Sequence, residues 1–294
     1  MIDAVAADSS EALQLVRLAP VMALTRGIAE IEVALVDGPV AVDHPDLYGA
    51  AIRAVGLEPS ACSRLGTAAC LHGTFVAGIL VAERRSSAPA ICPGCTLLVR
   101  PIFQETDCDG TVPSASLEEV GRAILQCVNS GARIVNLSAA TGRPTTRSAR
   151  KLREALDHAA RHGVVVIAAA GNQGTLGGSE VTRHPAVIPV VASDLHGRPL
   201  AQTNLGRSLG TRGLAAPGDG IVSLVAAGAP APRSGTSFAA AFVSGAVALL
   251  WSLFPRAAGG TIRHALSGGV RRTAVTPPLM DAWAAYELLA RNSG

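Results

Sequence analysis

Four short stretches carry side chains able to do acid–base or nucleophilic chemistry. Thr236 and Ser237 stand at the mouth of a small, apolar run, Arg233-Ser-Gly-Thr-Ser-Phe-Ala-Ala-Ala-Phe-Val-Ser-Gly245, which continues to Trp251. That run reads as a buried helix starting near Thr236. Its hydroxyls have two readings: helix capping, or a nucleophile held where free N–H groups and a partial positive charge suit a developing anion. Asp37 follows the apolar run Ile31–Val36. It is either a turn residue or a carboxylate at the carboxyl edge of a parallel sheet, where ligands gather. His72 opens the run His-Gly-Thr-Phe-Val-Ala-Gly78, as a structural or a catalytic imidazole. Asn172 closes Ala168-Ala-Ala-Gly-Asn172, as a turn residue or as an amide aimed at an oxyanion.

Taken together the four types make one reaction. A serine hydroxyl is a poor nucleophile until a base takes its proton. A neutral imidazole titrates in the right range, and a carboxylate fixes its tautomer and stabilises the imidazolium. An amide donor then holds the oxyanion. One site explains all four stretches more simply than four separate turns and caps.

The elements that must position these residues are a sheet and its covering helices. Apolar runs at Ile31–Val36, Thr96–Ile102, Ala132–Leu137 and Val164–Ala170 predict buried strands, with shorter ones at Pro185–Ala192 and Leu214–Val225. Helical patterns lie between and after them, at His72–Glu83, Ser114–Ser130, Arg147–His162, the run from Thr236, Gly259–Leu266 and Asp281–Arg291. Such alternation predicts an α/β fold of three layers, a mostly parallel central sheet covered by helices on both faces. Residues 1–30 read as a short N-terminal extension and residues 31–294 as one domain, without repeat or linker.

Composition narrows the function classes. Of 294 residues 49% are hydrophobic and 16% charged, which supplies a large core. A net charge of +3 is too small to imply nucleic acid or an anionic membrane as partner. No uninterrupted apolar run reaches the length of a membrane span. The start of the chain is acidic before it is apolar, unlike a secretory signal, so the expected location is cytoplasmic.

The motifs Val36-Asp37-Gly38, His72-Gly-Thr-Phe-Val-Ala-Gly78, Asn136-Leu-Ser138, Ala169-Ala-Gly-Asn172 and Gly235-Thr-Ser237 resemble those of the subtilisin-like serine proteases. The Asp…His…Ser order is also that of subtilisin. A narrower resemblance is to the protease domains of cyanobactin maturation enzymes. It rests on Asp37-Gly-Pro-Val-Ala-Val-Asp-His-Pro45 and on Cys92-Pro-Gly-Cys95 leading into Val99-Arg-Pro-Ile-Phe103. The resemblance implies a three-layer subtilisin-like fold and a serine endopeptidase that processes a ribosomally made precursor peptide. In it Asp37 orients, His72 is base then acid, Ser237 attacks and Asn172 stabilises the oxyanion. It further implies an extended substrate held between the backbone edges Gly110-Thr111-Val112 and Ser138-Ala139-Ala140. Arg183 takes a place lining the primary specificity pocket, or else is a solvated loop residue. A second class of function is an inert protease-like module that binds peptide.

Departures from the family pattern carry expectations too. Ala241 stands where many relatives have Pro, which bears on a transpeptidase or macrocyclase variant; against it, Asp37 and His72 are too close in sequence for a helical insert. The loop Arg84-Arg-Ser-Ser-Ala-Pro-Ala90 has no carboxylates, so no calcium site and no other cofactor is expected. Six cysteines are present, at 62, 70, 92, 95, 108 and 127. The cytoplasmic reading favours free thiols, with Cys92–Cys95 as the first pair to bridge. The same C-x-x-C spacing suits half of a zinc site, but no second such pair follows.

Overall fold

The computed structural model describes residues 10–105, 114–138, 140–141, 145–268 and 272–292. Two short helices, α1 (residues 10–15) and α2 (Ala19–Leu24), lead into β1 (Glu32–Asp37). Then come β2 (Ala51–Ala54), α3 (Ala68–Val81), β3 (Thr96–Pro101), β4 (Ser114–Ala115), α4 (Leu117–Asn129), β5 (Ile134–Leu137) and β6 (Ala140–Thr141). The chain continues through α5 (Thr146–Arg161), β7 (Val165–Ala169), α6 (Glu180–Arg183), β8 (Val187–Ser193), α7 (Arg207–Arg212) and β9 (Leu214–Pro217). Helices α8 (Thr236–Leu253), α9 (Gly259–Ser267) and α10 (Ala282–Asn292) close it.

Seven strands form one sheet in the order β2-β3-β1-β5-β7-β8-β9. Every neighbouring pair is parallel. Its central strands are apolar throughout because both faces are covered. In β1 the alternation is visible: Val33 and Leu35 join the core cluster under α3 and α8, while Ala34 and Val36 join the cluster under α4 and α5. The three predicted layers are therefore present. Ala12, Val16, Leu18 and Val21 of the N-terminal segment pack into the α3/α8 cluster rather than standing apart from it.

Helix α8 is the axis of that layer. Every residue from Thr236 to Ser252 is buried. It is long and apolar enough to cross a membrane, yet 89% of it lies inside the protein. Its Ala, Gly and Ser positions let it lie close on the sheet, and its Phe242, Val247 and Leu250 fill the core at about 1.5–3 kcal/mol each. On the other face the buried Arg100 of β3 reaches α4, pairing with Glu119 and donating from Nε to Gln126 Oε1, both at 2.7 Å. A charge so deep is tolerated only when paired.

Three sequence expectations change. Helix α3 begins at Ala68 rather than His72, because Thr67 caps it by accepting from Cys70 N and the intervening Ala-Ala-Cys-Leu propagates the helix. The strand expected at Leu214–Val225 stops at Pro217, where Pro-Gly-Asp-Gly breaks it. Strand β2 was not expected: it is a short edge strand with three of its four residues exposed, so it has no apolar run to announce it.

Candidate active site

The carboxyl ends of β1, β5 and β7 and the start of α8 meet at one crevice. Asp37, last residue of β1, is fully buried, and its Oδ1 lies 2.6 Å from His72 Nδ1. The same oxygen accepts from Gly38 N at 2.6 Å. Glycines make the approach possible. A Cβ on Gly38 would fall 2.0 Å from the Ala69 carbonyl oxygen, and one on Gly73 would fall 2.4 Å from that of Pro39. Strand end and helix therefore touch backbone to backbone. His72 sits in the second turn of α3, its side chain 26% exposed while that of Asp37 is sealed. Burial lowers the imidazole pKa, while the Asp37 charge and the hydrogen bond to it raise it, and Arg233 lowers it slightly; the balance lies above the ordinary histidine value.

Ser237 occupies the second position of α8, behind Gly235 as N-cap, and is 8% exposed. Gly235 holds the capping position, and Thr236 and Ser237 lie inside the helix. That removes the capping alternative for both hydroxyls. Phe238, the next residue, brings this helix end to the imidazole, with ring centroids 5.8 Å apart. The first N–H groups of a helix have no intrahelical acceptor, so the Ser237 end offers donors to an anion.

Asn172 is held by Thr236. The Thr236 N–H donates to Asn172 Oδ1 at 3.0 Å, and Thr236 Oγ1 accepts from Gly171 N at 3.1 Å. With Oδ1 committed, Nδ2 is the end left to donate. A Cβ on Gly235 would come within 3.3 Å of that nitrogen, so the glycine keeps the amide's surroundings clear.

Two supporting residues escaped the sequence reading. Asn204 accepts from Gln173 N, Thr175 N and Thr175 Oγ1, all at 3.1 Å, and donates to the Ala170 carbonyl and to Gln173 Oε1. It shapes the whole loop that carries Asn172. Asn136 of β5, quoted above only as part of a motif, donates to Ser138 Oγ at 3.0 Å and accepts from Ser244 Oγ at 2.8 Å, tying α8 to β5.

The expected substrate edges are partly visible. Gly110, Thr111, Val112 and Ala139 lie outside the described residues. Ser138 is buried, and Ala140 pairs with Ser114 in the small parallel sheet β4–β6, which joins the two edge segments. Arg183 ends α6 with a side chain 61% exposed and ion-paired to Glu180 at 3.3 Å. The free cation expected there is thus met by a carboxylate one helical turn away.

The cysteine expectation is corrected. Cys62 and Cys70 form a disulfide, with Cα atoms 5.6 Å apart, while Cys92, Cys95 and Cys127 are buried free thiols. Cys108 lies outside the described residues. The bridge forms because the loop from 55 to 67 folds back onto the first turn of α3, a long-range closeness that cysteine spacing alone does not reveal. Cys92 and Cys95 interact as thiols, Cys92 donating to Cys95, which raises the pKa of the first and lowers that of the second.

Comparison with known proteins identifies the family and the fold. A model of the Subtilase family matches residues 29–276. The thermophilic serine proteinase of Bacillus sp. (strain AK1) is 33% identical over 231 residues, covering 78% of this chain and 54% of that protein. The chain thus spans about half of that relative's length. Among solved structures, a mutant of the protease domain of PatA superposes with a TM-score of 0.79 at 32% identity, covering 90% of this chain and 97% of that one. The prenylagaramide maturation protease PagA superposes with a TM-score of 0.79 at 30% identity, covering 92% and 98%.

Proposed function

This chain belongs to the subtilase family and is a serine endopeptidase; from that premise we propose that it processes precursor peptides with Asp37, His72 and Ser237 as its triad and Asn172 as oxyanion donor. The observation that carries the assignment is the Asp37–His72 hydrogen bond at 2.6 Å beside the start of α8, where Thr236 locks the Asn172 amide. Precursor peptides are proposed as substrates because the solved relatives include a maturation protease.

The steps follow from the residues. The Asp37 carboxylate accepts from His72 Nδ1–H and so leaves Nε2 as the basic nitrogen. Nε2 takes the Ser237 proton as Oγ bonds to the scissile carbonyl carbon. The carbonyl oxygen becomes an oxyanion held by Asn172 Nδ2 and by the free N–H at the start of α8. The imidazolium, stabilised by Asp37, then gives its proton to the departing amine. Water repeats the sequence to free Ser237. Substrate lies extended along the segments that flank β4 and β6, where main-chain pairing supplies affinity.

A fluorophosphonate probe is expected to label the protein at Ser237, and Ser237→Ala to abolish the label and the cleavage of a leader-bearing peptide. A folded protein that binds such a peptide yet takes no label would instead be an inert binding module. Product masses complete the test: hydrolysis adds one water per cut, and transpeptidation does not.

A further inference from the structure

Arg233 stands four residues before Ser237, and among the described residues no carboxylate neutralises it. Its backbone is fixed by paired hydrogen bonds with Ile221, at 2.9 and 2.8 Å. Its side chain is half-buried, and its guanidinium carbon lies 5.4 Å from the centre of the Phe75 ring. Phe75 packs on Phe238 at 4.6 Å, and Phe238 on His72 at 5.8 Å. His72 and Phe75 are neighbours one turn apart on α3. The guanidinium therefore rests on an aromatic platform that runs up to the imidazole.

Position along the reaction gives this cation a meaning. His72, acting as acid, protonates the amine of the leaving fragment. Residues after the scissile bond must then pass the imidazole, which the Phe75–Phe238 platform links to Arg233. A cation there, met by no carboxylate among the described residues, opposes the positive charge that forms on the imidazole during attack. A carboxylate brought by the substrate would cancel that opposition. It would also meet a guanidinium whose forked donors suit it and whose motion is already restrained by stacking.

We propose that Arg233 is a specificity-determining residue for the leaving side of the substrate: its guanidinium pairs with a carboxylate carried just after the scissile bond, and this pairing favours turnover as well as binding. The proposal rests on the triad assignment above.

The test uses matched peptides that differ only in Asp against Asn at the first or second position after the cut. A further pair carries a short leaving fragment with a free or an amidated C-terminus. For the wild-type protein kcat/KM is expected to be at least about tenfold higher for one acidic member of these pairs, the size of one charge-assisted hydrogen bond. Part of the gain should fall in kcat. Which pair responds identifies the carboxylate as a side chain or as the fragment's C-terminus. Arg233→Gln should bring the ratio close to one, Arg233→Lys should keep part of it, and Arg233→Glu should reverse it in favour of Lys-bearing peptides. Among the described residues the charged groups that act on the His72 ring are Asp37 on β1 and Arg233 before α8. Removing the cation lets the imidazole hold its proton more tightly, so the acid limb of kcat/KM should move to higher pH in Arg233→Gln. Equal rates for all acidic and neutral partners, or a ratio unchanged in Arg233→Gln, overturns the proposal while Ser237 labelling still stands. Loss of that labelling in the wild-type protein overturns the triad and this proposal together.

Discussion

At the scale of the residue, the pH dependence follows from the buried Asp37 carboxylate. His72 works as a base only when neutral, and its pKa lies above the ordinary value of about 6.5. Cleavage should therefore fall away on the acid side with a midpoint above that value, as a pH profile of kcat/KM would report. The sign for stability is the opposite. A raised histidine pKa means that pairing with Asp37 adds stability below the unfolded-state value, and the addition is lost as pH rises through the folded-state value. Replacing Asp37 by Asn removes both influences that raise the pKa and spoils the tautomer, with an expected loss in kcat of about 10⁴-fold. Asn172→Ala should lower kcat by about 10²–10³-fold with little change in KM, the size known for the corresponding kind of donor in subtilisin. These residues could be found in the sequence because each lies at or near the end of an apolar run and within two residues of a glycine. Asn204 and Arg233 could not. Asn204 acts through a loop some thirty residues upstream, and Arg233 through rings on another helix, so neither sits in a local pattern.

At the scale of the element, close packing overrides helix propensity. Alanine is a better helix former than glycine by about 1 kcal/mol, so Gly73→Ala should stabilise an isolated α3. In the protein its Cβ would meet the Pro39 carbonyl at 2.4 Å. The expected result is a lower melting temperature and a loss of activity, since the Asp37–His72 contact must open to make room. A stable and fully active variant would show that the strand end can yield. The Cys62–Cys70 bridge acts on the same helix by tying the preceding loop to its first turn. By the chain-entropy relation for so small a loop, the double change Cys62→Ser and Cys70→Ser should cost about 2.5 kcal/mol in denaturant unfolding. Strands and long helices were legible from apolar runs and their periods. The edge strand β2 and the loop that brings Cys62 to Cys70 were not, because nothing within either stretch records what it folds against.

At the scale of the whole molecule, the chain holds its N-terminal segment to the body with an arginine. Arg84 donates to the carbonyls of Met22, Thr25 and Ile91, at 2.6, 2.7 and 3.3 Å. A guanidinium thus gathers main-chain oxygens of the kind that calcium gathers, in a loop without carboxylates. Melting curves in chelator and in excess calcium are expected to coincide; a large rise with calcium would reveal a cation site elsewhere. The central strand order has a further outcome, set in time rather than in space. β1, which carries Asp37, lies between β3 and β5, and α8 lies across β5, β7, β8 and β9. On the ribosome the strand and helix bearing Asp37 and His72 emerge early, whereas the seat for α8 is complete only after β9 has been made. A half-synthesised chain therefore holds an acid–base pair with no serine to activate. With the triad proposed above, the capacity to cut awaits the seating of α8 on a sheet that β9 completes, so it belongs to the end of synthesis rather than its course.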